Sequence, residues 1–200
     1  MADLSASKVE TQRLFLAVKP TATMVKKLCQ QIEQLSPGFD ASAVNWSQAE
    51  SLHLTLRFIG DVEPHQLEQL RQQMAVALQG KQPFSVSLTD VACFSSGHGR
   101  FLVIEVAPNQ WLDQLVNDLS GGVVSLGYPG EKRPYRGHIT LGRLRRSAPA
   151  GITLNSVWDV CALEVNQVVL LQSRLTAKGA EYVQLDRWEL AGEVCDEIEL

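Results

Sequence analysis

Between Ser51 and Gly60 polar and apolar residues alternate almost one for one, in the run SLHLTLRFIG. A period of two predicts a strand with one buried face. His53 and Thr55 then project from one face, and Leu54, Leu56 and Phe58 from the other, into a core. The same parity puts Arg57 beside His53. The pattern recurs at His138-Ile139-Thr140-Leu141-Gly142. There Arg136 shares the His138 face, and Arg143 falls on the opposite one unless Gly142 allows a bulge.

The flanking segments repeat as well. Arg13 to Val18 is a short apolar run that reads as a buried strand, ended by Pro20. Met24, Leu28, Ile32 and Leu35 recur at helical spacing, which predicts a helix over 21–35 capped by Thr21 or Thr23. Ser36-Pro37-Gly38 breaks it. Leu67, Leu70, Met74 and Leu78 predict a second helix over 65–78. Phe84 to Leu88 reads as a strand, continued by Val91 to Phe94 after a bend, and 95–99 as a turn. Arg100 to Val106 then resembles Arg13 to Val18, and a helix is expected over 111–119. The glycines and prolines of 121–136 read as a loop before the second His-Thr strand. Further strands are expected over 162–171 and 182–190. Each half thus runs strand, helix, His-Thr strand, further strands, which implies two similar halves packed about an approximate two-fold with one His-Thr strand each at a shared cleft.

Composition narrows the classes. The 200 residues suit one domain, here 12–190, with a flexible leader over 1–11 and an acidic tail over 191–200. A net charge of −4 is too mild for polyanion binding by overall charge. Basic residues nevertheless gather around His138: Lys132, Arg133, Arg136, Arg143, Arg145 and Arg146, against the single acid Glu131. The four cysteines, Cys29, Cys93, Cys161 and Cys195, form no C-x-x-C pair. With no signal peptide or membrane-spanning run, they point to a cytoplasmic protein with reduced thiols.

Two histidines facing each other across a gap suit phosphoryl transfer. An in-line displacement at phosphorus needs a base at the attacking oxygen and an acid at the leaving oxygen, on opposite sides. Histidine titrates near neutrality, so one imidazole can be neutral while the other is protonated. A threonine two positions along on the same face can donate to a non-bridging oxygen. A single His-x-Thr is weak evidence; two copies in matching surroundings carry the reading. No cofactor and no metal is expected. Trp46 and Phe58 are candidates to stack on a base, with core packing the expected role of Phe58. His65 is expected at an exposed helix start, and His98 away from the cleft.

The runs HLTLRFIG from His53 and RPYRGHITLGR from Arg133, with Arg13-Leu14-Phe15, the stretch Leu170 to Leu175 and the close Tyr182 to Leu190, resemble the 2H phosphoesterases. Within them the chain is most similar to the RNA 2',3'-cyclic phosphodiesterase branch, also called the 2'-5' RNA ligase family. The resemblance implies an α+β bilobal fold with two antiparallel sheets around a central cleft and helices outside. It implies hydrolysis of a terminal 2',3'-cyclic phosphate to a 2'-phosphomonoester. His53 would be the proton donor and His138 the proton acceptor, with Thr55 and Thr140 beside them and Arg143 holding substrate. Arg136, Arg57 and Trp46 complete the expected substrate contacts. The implied partner is RNA ending in a cyclic phosphate, tRNA fragments included. A monomer with no obligate protein partner is expected. The alternatives are a reversible 2'-5' ligase joining tRNA halves and a non-catalytic RNA or nucleotide binder. Gly137 departs from the proline that many relatives carry before the second histidine.

Overall fold

A computed structural model describes residues 10–96, 99–148, 154, 158, 161–176 and 179–191. His98, Cys195 and most of the expected leader and tail lie outside them. Strand β1 (Gln12–Val18) leads to helix α1 (Ala22–Leu35), then β2 (Val44–Trp46) and β3 (Leu54–Val62). Helix α2 (Leu67–Leu78), β4 (Phe84–Ser96), β5 (Gly99–Val106), α3 (Gln110–Ser125) and β6 (His138–Leu144) come next. The chain closes with β7 (Cys161–Val165), β8 (Gln167–Thr176) and β9 (Gly179–Glu189).

The helix starts are set by their capping residues. The Thr21 hydroxyl accepts from Met24 N at 3.3 Å, and Asn109 Oδ1 accepts from Trp111 N and Leu112 N at 3.0 Å each. His65 lies exposed in a short 3-10 turn, Pro64–Gln66, ahead of α2, so that helix begins later than its periodicity suggests. Helix α3 runs through the glycines expected to end it. A Cβ on Gly122 would stand 2.9 Å from Met74 Cε of α2, so the tip of that side chain packs directly over the glycine. Tertiary packing there outweighs the poor helix propensity of glycine.

The strands form one nine-stranded sheet in the order β7-β4-β5-β6-β3-β1-β8-β9, with β2 added beside β6. Every described pairing is antiparallel. The run expected as one strand over 162–171 is divided at Asn166. Its two parts pair far apart, β7 with β4 and β8 with β1, although a single residue joins them. The sheet must therefore curl until its two ends approach. In place of the expected two sheets there is one, whose five-stranded part (β7-β4-β5-β6 with β2) and four-stranded part (β3-β1-β8-β9) are joined at one pairing, Leu54 with Ile139.

The core lies mainly on the helical side. Leu14, Leu16 and Val18 of β1, Leu54 and Leu56 of β3, Leu102 and Ile104 of β5, and Ile139 and Leu141 of β6 pack there with Leu28, Leu70, Met74, Leu115 and Leu119 of the helices. Each such leucine contributes roughly 1.5–3 kcal/mol by leaving water. A second, small cluster of Phe15, Ala17, Val169 and Leu171 occupies the opposite face, with Tyr182 against it. Burial on both faces explains why the middles of β1 and β8 read as unbroken apolar runs instead of alternating ones.

Candidate active site

The two His-Thr motifs meet at the seam between the halves. Leu54 pairs with Ile139, and both are fully buried on the helical side. Extending that antiparallel pairing by one residue each way sets His53 opposite Thr140 and Thr55 opposite His138. All four side chains then share the face turned away from the main core. All four are half-buried. Among the described residues neither threonine hydroxyl is engaged in a hydrogen bond.

The histidines are held in matching ways. His53 Nδ1 lies 2.6 Å from the Ser51 carbonyl oxygen, and His138 Nδ1 lies 2.8 Å from that of Arg136. Each partner is two residues upstream. A carbonyl only accepts, so each Nδ1 carries the proton and each Nε2 is left as the working atom. The threonine carbonyls are tied too: Tyr135 Oη donates to Thr55 O and Ser47 Oγ to Thr140 O, both at 2.9 Å.

Aromatic rings pack against both imidazoles. Phe15 and Tyr182 lie 5.0 and 4.9 Å from His53, centroid to centroid, and Phe94 stacks on His138 at 5.2 Å. His53 is pushed down to about 4. Burial is the main cause, the Ser51 carbonyl opposes it, and the charges of His138 and Lys19 add to the lowering. His53 is therefore neutral at physiological pH.

Just past each threonine the sheet bulges. Thr55 pairs with Ala17 but Arg57 pairs with Leu16, so Leu56 is an extra residue in β3. Thr140 pairs with Val103 but Gly142 pairs with Leu102, so Leu141 is extra in β6. Each bulge reverses the parity of the residues beyond it. This corrects the expected placement of Arg57, which turns to the helical side, has a side chain only 3% exposed, and donates to Glu131 and to the Pro129 carbonyl. Phe58 turns the other way, onto the histidine face, 59% exposed and 5.7 Å from Phe15. In the other half the bulge brings Arg143 onto the His138 face. Arg143 is exposed and lies over Phe101 at 5.6 Å, in the place in β6 that Phe58 occupies in β3.

The remaining candidates divide. Arg136 is exposed on the His138 face, 5.1 Å over the Phe94 ring, and pairs with Glu105. Trp46 is corrected to a packing role: it pairs with Gly142, packs against the main core and meets Phe39 edge-on at 5.6 Å. A Cβ on Gly142 would lie 2.8 Å from Val44 and 3.0 Å from Trp46, so close approach requires the glycine. Strand entry at Gly137 is intact, since Val106 N donates to its carbonyl at 3.0 Å. Lys132, Arg133, Arg145 and Arg146 are exposed. Tyr182 and Lys19 are site residues that periodicity alone did not single out, because their neighbours are set by strand pairing. Among the described residues no group of three or more His, Cys, Asp or Glu could hold a metal ion, and no helix is long and apolar enough to cross a membrane.

Similarities to known proteins run over the same residues. The family profile described as 2'-5' RNA ligase superfamily matches residues 15–177. An RNA 2',3'-cyclic phosphodiesterase of Archaeoglobus fulgidus is 31% identical over 181 residues, covering 88% of this chain and 99% of its own. One of Escherichia coli is 28% identical, covering 90% and 98%. Among solved structures, a Thermus thermophilus protein superposes with a TM-score of 0.78 at 25% identity, covering 90% of this chain and 99% of its own. Escherichia coli LigT complexed with 3'-AMP gives 0.73 at 26% identity, with the same coverage.

Proposed function

This chain belongs to the 2'-5' RNA ligase superfamily, and from that premise we propose that it is an RNA 2',3'-cyclic phosphodiesterase. The observation that carries the reading is the Leu54–Ile139 pairing, which gathers His53, Thr55, His138 and Thr140 on one face. A cyclic phosphate at the seam has an imidazole on either side.

In hydrolysis His138 Nε2 takes a proton from water as the water oxygen bonds to phosphorus. The bond from phosphorus to O3' breaks, and His53 Nε2 gives its proton to O3'. The product is a 2'-phosphomonoester, and the histidines reset by exchange with solvent. Thr55 and Thr140 donate to the non-bridging oxygens, where charge accumulates. The lowered affinity of His53 for a proton fits this order. A bound phosphate anion favours the imidazolium, so His53 gains its acid proton together with the substrate. Arg143, with Arg136 behind it, attracts the RNA backbone, and Phe58 offers an exposed ring for the terminal base.

All four central residues come from one chain, so a monomer suffices. The substrate class is RNA with a cyclic phosphate end, tRNA fragments among them. Among the described residues Cys29, Cys93 and Cys161 are in no disulfide, which suits a reducing cytoplasm. The same groups in the same roles serve 2'-5' ligation: a 5'-hydroxyl takes the place of water, His138 takes its proton as the 5'-oxygen bonds to phosphorus, and His53 protonates the departing O3'.

The test is turnover of an oligonucleotide with a 2',3'-cyclic phosphate end, in EDTA. We expect activity in the wild type and none in folded His53→Ala or His138→Ala protein. Wild-type-like turnover by either variant would refute the assignment.

A further inference from the structure

We propose that Lys19 is a positioning residue that draws the phosphate to the His53 side and holds His53 uncharged until that phosphate arrives. This rests on the reading of the seam as a phosphate site. The β1–β3 pairing reaches its end at Val18 and Leu54. One step further sets Lys19 opposite His53, on the face that Ala17 and Phe15 share with Thr55 and Phe58. Lys19 is half-buried, and among the described residues no carboxylate pairs with it.

The matching place in the other half is occupied differently. His138 pairs across to Glu105, whose carboxylate is taken up by Arg136. One imidazole therefore faces an unanswered cation and the other faces an ion pair. Two histidine motifs with nearly the same backbone become electrostatically unequal through these neighbours. Among the described residues the ionisable groups acting on or touching His53 are Lys19 just past β1, His138 across the seam and the Tyr182 phenol from β9. An ammonium beside an imidazole disfavours the imidazolium. A phosphate anion seated between them cancels that field and is itself attracted by it. Lys19 thereby links proton uptake by His53 to occupancy of the site. Its direction of action agrees with the lowering of His53, in which it is the smallest contributor after burial and His138.

The experiment is an NMR titration of the His53 Cε1–H, with and without saturating inorganic phosphate, on wild type, Lys19→Met and Lys19→Arg. Methionine keeps the apolar stem and removes the charge; arginine keeps the charge. In the empty Lys19→Met protein the His53 midpoint should rise towards the ordinary histidine range, while Lys19→Arg should stay near wild type. Phosphate should raise the wild-type midpoint and raise that of Lys19→Met by less. Phosphate affinity should fall by about three- to tenfold in Lys19→Met, the effect of one partly screened charge, and return in Lys19→Arg. The acidic limb of the kcat/KM profile should move with the midpoint. A Lys19→Met protein in which either the empty-site midpoint or the phosphate affinity stays at the wild-type value overturns the proposal. Titration and phosphate binding need no turnover, so absence of phosphodiesterase activity would refute the functional reading without touching this one.

Discussion

Arg57 is buried behind the site while its partner Glu131 is 52% exposed, and that imbalance makes a sharp prediction. The guanidinium is held by Glu131 and the Pro129 carbonyl, and its Nε has no partner. Arg57→Met removes the buried charge and leaves a carboxylate that water can solvate. Replacing a buried ion by an apolar side chain of similar shape is often near neutral. The cost should therefore stay within about 2 kcal/mol, mostly for the Pro129 carbonyl. Glu131→Ala does the opposite, stranding a buried cation with one carbonyl. That loss should be about 3 kcal/mol or more. Removing the exposed partner should thus cost more than removing the buried one, and the double variant should be no worse than Arg57→Met alone. Urea unfolding of the wild type, both single variants and the double variant measures the cycle. In a chain of this length 3 kcal/mol corresponds to a fall in Tm of roughly 6–12 °C. A Glu131→Ala protein as stable as wild type, or two losses that simply add, would refute this ordering. The same variants test whether anchoring 129–131 to β3 matters for the segment that leads into His138, since Glu131→Ala should lower kcat more than it alters KM.

Acid should destabilise the fold through His53. Its folded pKa, about 4, lies below the ordinary 6.5, so the unfolded chain binds a proton that the native state refuses. Stability is full above about pH 6.5 and is lost as pH falls towards 4, by on the order of 2–3 kcal/mol; His53→Ala should flatten that part of the curve, and an unchanged slope would contradict the burial argument. Phe58→Ala should leave Tm within about 2 °C, because the ring is mostly exposed, while raising KM for a cyclic-phosphate oligonucleotide by roughly five- to a hundredfold through lost stacking; a collapsed Tm with unchanged KM would return Phe58 to the core.

The His-Thr faces were legible because period-two alternation holds through Thr55 and Thr140. It fails one residue later. A bulge adds a residue without altering hydrophobicity, so parity carried Arg57 to the wrong face and Phe58 into the core. At Leu141 the same device resolves the conflict between the parity of Arg143 and the place that the family resemblance implies for it. Trp46 was open to two readings because an indole suits a core as well as a base. Only its contact with Gly142 shows which one it meets here. Tyr182 and Lys19 could not be read locally: β1 and β9 reach His53 through sheet order, which no short window contains. Gly121 and Gly122 looked like a helix end because their packing partner, α2, lies over forty residues upstream.

Crystals grown with adenosine 2'-phosphate, the product analogue, would test the central geometry most directly. The phosphate should sit at the seam with His53 Nε2 and His138 Nε2 each about 2.6–3.2 Å from different oxygens on opposite sides of phosphorus. A phosphate bound to one imidazole alone, or held elsewhere on the sheet, would contradict the account.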